Sequence, residues 1–132
     1  MSYKLEREKT DLTPYVLIDE ERGYMMLKGE SYHENVFDFF NEITQWLKGY
    51  LKTDFTGFTF DCELKYFNSS TVRILLNMLM DMDRSEGSGK IVVNWIAASN
   101  NKIIIECGED FQVGLKNIAF NLVTKDPQKE VL

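Results

Sequence analysis

Between Gly57 and Tyr66 the apolar residues fall at every second position: Phe58, Phe60, Cys62, Leu64 and Tyr66 alternate with Thr59, Asp61, Glu63 and Lys65. A period of two sends successive side chains to opposite faces, so this segment predicts a strand with one buried and one polar face. Upstream, Val36, Phe39, Phe40, Ile43, Trp46, Leu47, Tyr50 and Leu51 recur at spacings of three and four, with Asp38, Asn41, Glu42, Gln45 and Lys48 opposite. That is the period of a helix with one broad apolar stripe. Ser31 and Glu34 have the S-x-x-E spacing of a capping box, so this helix is expected to start there, with His33 in its first turn. The helical period returns in Val72, Leu75, Leu76, Leu79 and Met82, and "SEGSG" ends it.

Other segments are shorter. "YVLID" from Tyr15 and "YMMLKG" from Tyr24, joined by "EERG", read as a hairpin whose turn uses Gly23. "KIVVNWIA" is a strand by β-branched content, and in "NIAFNLV" Ile118, Phe120 and Leu122 alternate as in another. "SNNKIIIECGEDF" is ambiguous. Its isoleucines favour a strand, whereas Asn100 or Asn101 could cap a short helix that stops at Gly108. The order of elements makes an α/β domain, a mixed sheet with two long helices packed on one face. A single domain over residues 1–132 is expected, with an ordered core of about 14–124 and solvated polar tails such as "TKDPQKEVL".

Composition narrows the function. A chain of 132 residues can bury roughly two thirds of its unfolded surface and needs no disulfide or metal to fold. The net charge of -6 disfavours nucleic acid as a partner, because duplex-binding proteins present a basic face. No apolar run has the length of a membrane span, and "MSYKLEREKTDLT" lacks the apolar centre of a signal peptide, so a cytoplasmic location without membrane insertion is expected. Cys62 and Cys107 fit buried thiols better than a disulfide framework. One histidine, His33, cannot serve a Ser-His-Asp or Cys-His set from a helix start, and with two distant cysteines it makes no zinc site. "GSG" at Gly87 to Gly89 lacks the residues of a phosphate loop. The expectation is a protein that is not an enzyme and holds no cofactor or metal.

One stretch resists a purely structural explanation. In "YFNSSTVRILL" the residues Asn68, Ser69, Ser70 and Thr71 sit together at a strand-to-helix junction. A helix start needs one or two side-chain caps, each contributing about 1 kcal/mol, so the remaining hydroxyls are in excess. Ser70 or Thr71 is the expected cap, and the hydroxyls in excess sit where a loop at the edge of the sheet would expose them. A phosphoryl group there would add about -1.5 to -2 charge units.

This arrangement resembles the phosphorylatable serine of anti-anti-sigma (STAS-type) domains, and it is more similar to the SiaC family of bacterial regulatory phosphoproteins. "GESYHENVFDFF" resembles that family's G-E/D-S-Y-P-E-N helix start, and "YFNSSTVRILLNML" resembles its Y-[FL]-N-T-S-S motif followed by a helix. "NWIAASNN" with the later "GEDF" is similar to the family's next strand and helix. The likeness spans nearly all of Tyr15 to Val123, with His33 at the motif's proline and Ser69 at its threonine. It implies a STAS-like domain with a short additional helix at Asn100 to Cys107. It also implies a partner switch in cyclic-di-GMP signalling. A cognate serine/threonine kinase would phosphorylate Ser69, a PP2C-type phosphatase would remove the phosphate, and the unmodified form would bind a target such as a diguanylate cyclase. The expected docking residues around Ser69 are Glu30, Ser31, Tyr32, Asn68, Ser70, Thr71 and Arg73. The competing classes are a non-switching structural adaptor and a small enzyme.

Overall fold

The computed structural model describes residues 2–127. Its strands are β1 (Lys4–Arg7), β2 (Tyr15–Asp19), β3 (Tyr24–Ser31), β4 (Phe58–Phe67), β5 (Ile91–Ala98) and β6 (Ala119–Lys125). Its helices are α1 (Val36–Tyr50) after β3, α2 (Ser69–Arg84) after β4 and α3 (Lys102–Gly114) after β5. The strands form one six-stranded sheet in sequence order. β1, β2 and β3 pair antiparallel, and β3 through β6 pair parallel. Each helix is thus the crossover of a βαβ unit, the connection that parallel neighbours require.

The hairpin is as expected: Gly23 takes a φ of 62°, and a Cβ there would meet the Gly57 carbonyl oxygen at 2.2 Å. Phe58, Phe60, Cys62 and Leu64 are buried. Register places Phe58 beside Ile91 and Cys62 beside Trp95 on the same face. Phe58 meets Trp46 and Tyr50 of α1, and Trp95 meets Phe111 of α3. Phe40, Leu47, Leu75 and Leu79 join this core, with Trp46 partly buried at its margin. On the opposite face the Tyr24 hydroxyl and the Asn94 amide both donate to Asp61, at 2.7 and 2.8 Å. Glu63 on that side is buried rather than open, paired with Lys125 at 3.0 Å.

Several expectations are corrected. Residues 4–7 are not a tail but an edge strand, tied to α1 by Arg7 bonded to Glu42 at 2.5 Å and by Tyr3 stacked on Trp46. Thr124 and Lys125 belong to β6, while residues 128–132 of the expected tail lie outside the described residues. Ser31 is no cap: it is the buried last residue of β3, and His33 precedes the helix. The cap of α1 is Asn35, whose side chain accepts from the Asp38 amide and donates back to its carboxylate. Tyr66 points outward and is 55% exposed. The register slips after Gly29, which faces Leu64 while Glu30 faces Tyr66, so Lys65 is an extra residue and the alternation reverses. The buried stripe of α2 includes Ile74 and Met78, whereas Val72 is half-buried and Leu76 is 37% exposed.

The isoleucine run is helical, capped by Asn101, and the helix passes through Gly108 instead of stopping there. Ile104 and Phe111 face the core, and the Trp95 indole donates to the Ile104 carbonyl at 2.9 Å. Gly108 serves close packing, since a Cβ would lie 2.4 Å from Trp95 Cδ1 and 2.6 Å from Leu122 Cδ2. Tertiary contact overrides strand propensity here.

Asp83 near the end of α2 accepts from the backbone amides of Lys116, Asn117 and Ile118, at 2.7 to 3.2 Å. Burial pushes its pKa up, but the three amides outweigh burial and leave it lowered. A lowered folded-state pKa stabilises above the ordinary carboxylate pKa and stops doing so as pH falls through the folded value. Asp83→Ala is therefore expected to destabilise the protein at pH 7, with the difference from wild type shrinking toward pH 3. Urea denaturation at both pH values measures it.

Candidate functional site

At the carboxyl ends of β3 and β4 two parallel strands deliver Ser31 and Phe67 side by side, and the chain turns from Phe67 directly into α2. The first amides of a helix have no intrahelical partner. Asn68 is the residue that satisfies one of them: its side-chain oxygen accepts from the Thr71 amide at 2.9 Å, and neither Ser70 nor Thr71 is the cap. Asn68 also ties the junction together. Its backbone amide donates to the Ser31 carbonyl at 3.1 Å, and its side-chain amide donates to the His33 carbonyl at 3.3 Å.

Thr71 is fully buried, one turn into the helix. Its oxygen lies 2.9 Å from Ser31 Oγ, 3.0 Å from the Ser31 carbonyl and 2.8 Å from Asn68 Oδ1. A hydroxyl has one proton and two acceptor lone pairs. Thr71 therefore donates to the Ser31 carbonyl or to Asn68 and accepts from Ser31 Oγ, which bolts α2 to the end of β3.

These contacts consume two of the four polar side chains. Ser69, the first residue of the helix, is exposed, and among the described residues nothing bonds its hydroxyl. Ser70 is half-buried. Arg73, four residues beyond Ser69 and so next to it on the helix surface, is exposed and pairs with no described carboxylate. Beside the junction the ring of half-buried Tyr32 meets exposed Tyr66 edge-on at 5.2 Å. The structure thus brings Tyr32, Asn68, Ser69 and Arg73 to one end of the sheet, with half-buried Glu30 adjoining. It puts Ser31 and Thr71 beneath that surface, out of reach of a partner. Tyr66, which alternation alone would place in the core, also belongs to this surface because of the register slip.

Among the described residues, His33 accepts from the Asn35 amide at 3.0 Å, and no three ligating side chains gather to hold a metal. Cys62 and Cys107 are free thiols. Burial pushes the pKa of both up, that of Cys107 to about 11, so neither is a thiolate at neutral pH. A groove of about 770 Å³ lies at the other end of α2, lined by Lys48, Asp54, Arg84 and Lys90. It is far from Ser69 along the helix, and Lys90 there is engaged by Asp54 at 3.6 Å. None of the described helices is long and apolar enough to cross a membrane.

The family model described as "SiaC family regulatory phosphoprotein" matches residues 7–125. The chain belongs to the SiaC family, and it is a regulatory protein rather than an enzyme. It is 25% identical over 104 residues to an uncharacterized protein of Pseudomonas aeruginosa strain UCBPP-PA14, covering 78% of this chain and 82% of that one. Among solved structures it is similar to SiaC of Pseudomonas aeruginosa, with a TM-score of 0.82 at 22% identity over 93% of this chain and 99% of that one. It is also similar to a chain of the structure of diguanylate cyclase SiaD in complex with its activator SiaC from the same organism. There the TM-score is 0.83 at 23% identity, over 92% of this chain and 99% of that one. At such identities the structures show a shared fold, and membership rests on the family model.

Proposed function

We propose that this protein is a cytoplasmic partner switch set by the phosphorylation state of Ser69. A cognate serine/threonine kinase adds the phosphate, a PP2C-type phosphatase removes it, and the unmodified form binds and regulates a diguanylate cyclase. In this account the domain is STAS-like, with α1 and α2 the two main helices on one face of the sheet. The observation that carries the reading is the division of labour in the quartet. Asn68 caps, Thr71 bolts, and Ser69 is left exposed and unbonded at the helix start. Transfer to a hydroxyl requires that its oxygen be reachable, and Thr71 has no exposed surface. The activator named in the complex of a structural relative supports the choice of target.

Phosphate at Ser69 suits its local surroundings, since unsatisfied amides and the positive end of the helix dipole favour an anion. Its effect therefore lies at the surface shared with the target. Incubation with the kinase, followed by mass-spectrometric mapping, is expected to place phosphate on Ser69 and to leave Ser69→Ala unmodified. Phosphate confined to Ser70 or Thr71 would overturn the assignment.

A further inference from the structure

Ser69 and Arg73 lie four residues apart on α2 and so share one strip of its surface. A long side chain on a helix leans back toward the amino end and covers the turn before its own Cα, which for Arg73 is the turn that begins at Ser69. Arg73 is exposed, and among the described residues it takes part in no hydrogen bond, ion pair or ring contact. Its helix neighbours three and four residues away in either direction are Ser69, Ser70, Leu76 and Asn77, all uncharged. The first turn of α2 holds no acidic residue, and the first carboxylate along the helix is Asp81, about two turns beyond Arg73.

The other arginines are placed differently. Arg7 pairs with Glu42 at 2.5 Å, Arg22 lies 3.9 Å from Asp19, and Arg84 is about three turns further along α2. In the unmodified protein α2 gives Arg73 no anionic partner, and the neighbours that can become one by modification are Ser69 and Ser70. Of these, Ser70 is half-buried and Ser69 is exposed with an unbonded hydroxyl.

We infer that Arg73 clamps the phosphate on Ser69 in the modified protein, its guanidinium donating two parallel N–H bonds to two phosphate oxygens. This rests on the partner-switch reading of Ser69 and adds the residue that receives the phosphate. An anion four residues before a cation is the favourable order for such a pair on a helix. Arginine suits the position better than lysine, because its planar fork matches two phosphate oxygens, whereas an ammonium meets them as a point charge. One guanidinium cannot neutralise a phosphate of about -1.5 to -2 charge units. The clamp therefore turns a patch that is positive at Arg73 into a negative one and holds the remaining charge against the surface of α2. A partner that approaches the start of α2 meets the opposite sign of charge in the two forms.

Full-length protein with phosphoserine installed at position 69 during translation, so that no kinase is needed, tests the clamp. In NMR spectra the Nε–H signal of one arginine is expected to move on modification. In Arg73→Gln that signal is absent, and the remaining arginine signals stay where they are. Thermal melts give a second reading. Without phosphate, Arg73→Gln is expected to melt within about 2 °C of wild type, since Arg73 has no described partner to lose. With phosphate, the same substitution is expected to lower the midpoint by roughly 4 °C more than it does in the unmodified protein, and Arg73→Lys to lower it by less. Arginine signals that do not move, or equal midpoint changes in the two forms, overturn the clamp and leave the switch standing. Phosphate that the kinase places on another residue overturns the partner-switch reading itself.

Discussion

Thr71→Val is expected to destabilise the fold by about 2 kcal/mol, although it hardly changes the volume of the side chain. The valine keeps the packing under α2, so the loss comes from polar groups. The Ser31 hydroxyl loses its acceptor in a fully buried place, and either the Ser31 carbonyl or Asn68 loses a donor. Leaving a buried polar group unpaired costs more than the bond itself contributes. A midpoint lower by roughly 5–10 °C is expected in thermal melts. Thr71→Ser, which restores the hydroxyl, should recover most of it. A wild-type midpoint in Thr71→Val with a loss in Thr71→Ser would mean that the methyl, and not the hydroxyl network, holds the junction. The same substitution separates structure from signalling, because Thr71→Val is expected to remain a substrate for phosphorylation at Ser69.

The parts of this fold that were legible in the sequence are those where burial is periodic and long. The stripe of α1 runs for four turns, and the alternation of β4 holds until a single extra residue, Lys65, reverses it. What escaped was decided by contacts remote in sequence. β1 has one apolar residue among charges because it is an edge strand, and the reason it is ordered lies in α1, at Glu42 and Trp46. The spacing of Ser31 and Glu34 imitates a helix cap, but Ser31 is claimed by Thr71, 40 residues away. The α3 isoleucines are strand formers by propensity, and what makes them helical is the space between Trp95 and Leu122 that Gly108 fills. At the site, the sequence marks the polar quartet that the structure places at the start of α2. It assigned the cap wrongly because Asn68, Ser70 and Thr71 are all good capping residues and only the geometry distinguishes them. The structure leaves Ser69 as the exposed member.

The largest effect is expected from phosphorylation itself. In the proposed switch a dianion at Ser69 would enter a surface that target binding desolvates, and an unpaired interfacial charge costs several kcal/mol. Affinity is expected to fall at least about 100-fold, which corresponds to about 2.7 kcal/mol. Ser69→Ala should bind as the unmodified protein does, because its side chain was unbonded and exposed. Ser69→Asp should lie between, since a carboxylate carries less charge and fewer acceptor oxygens than a phosphate. The helix should survive in every form, because an anion at its amino end is locally stabilising.

The decisive measurement is a calorimetric titration of the purified diguanylate cyclase with unmodified and with stoichiometrically phosphorylated protein, each also recorded by far-ultraviolet circular dichroism. The switch predicts tight binding for the first, at least about 100-fold weaker binding for the second, and superimposable spectra. Equal affinities would contradict it, as would weaker binding accompanied by loss of helical signal.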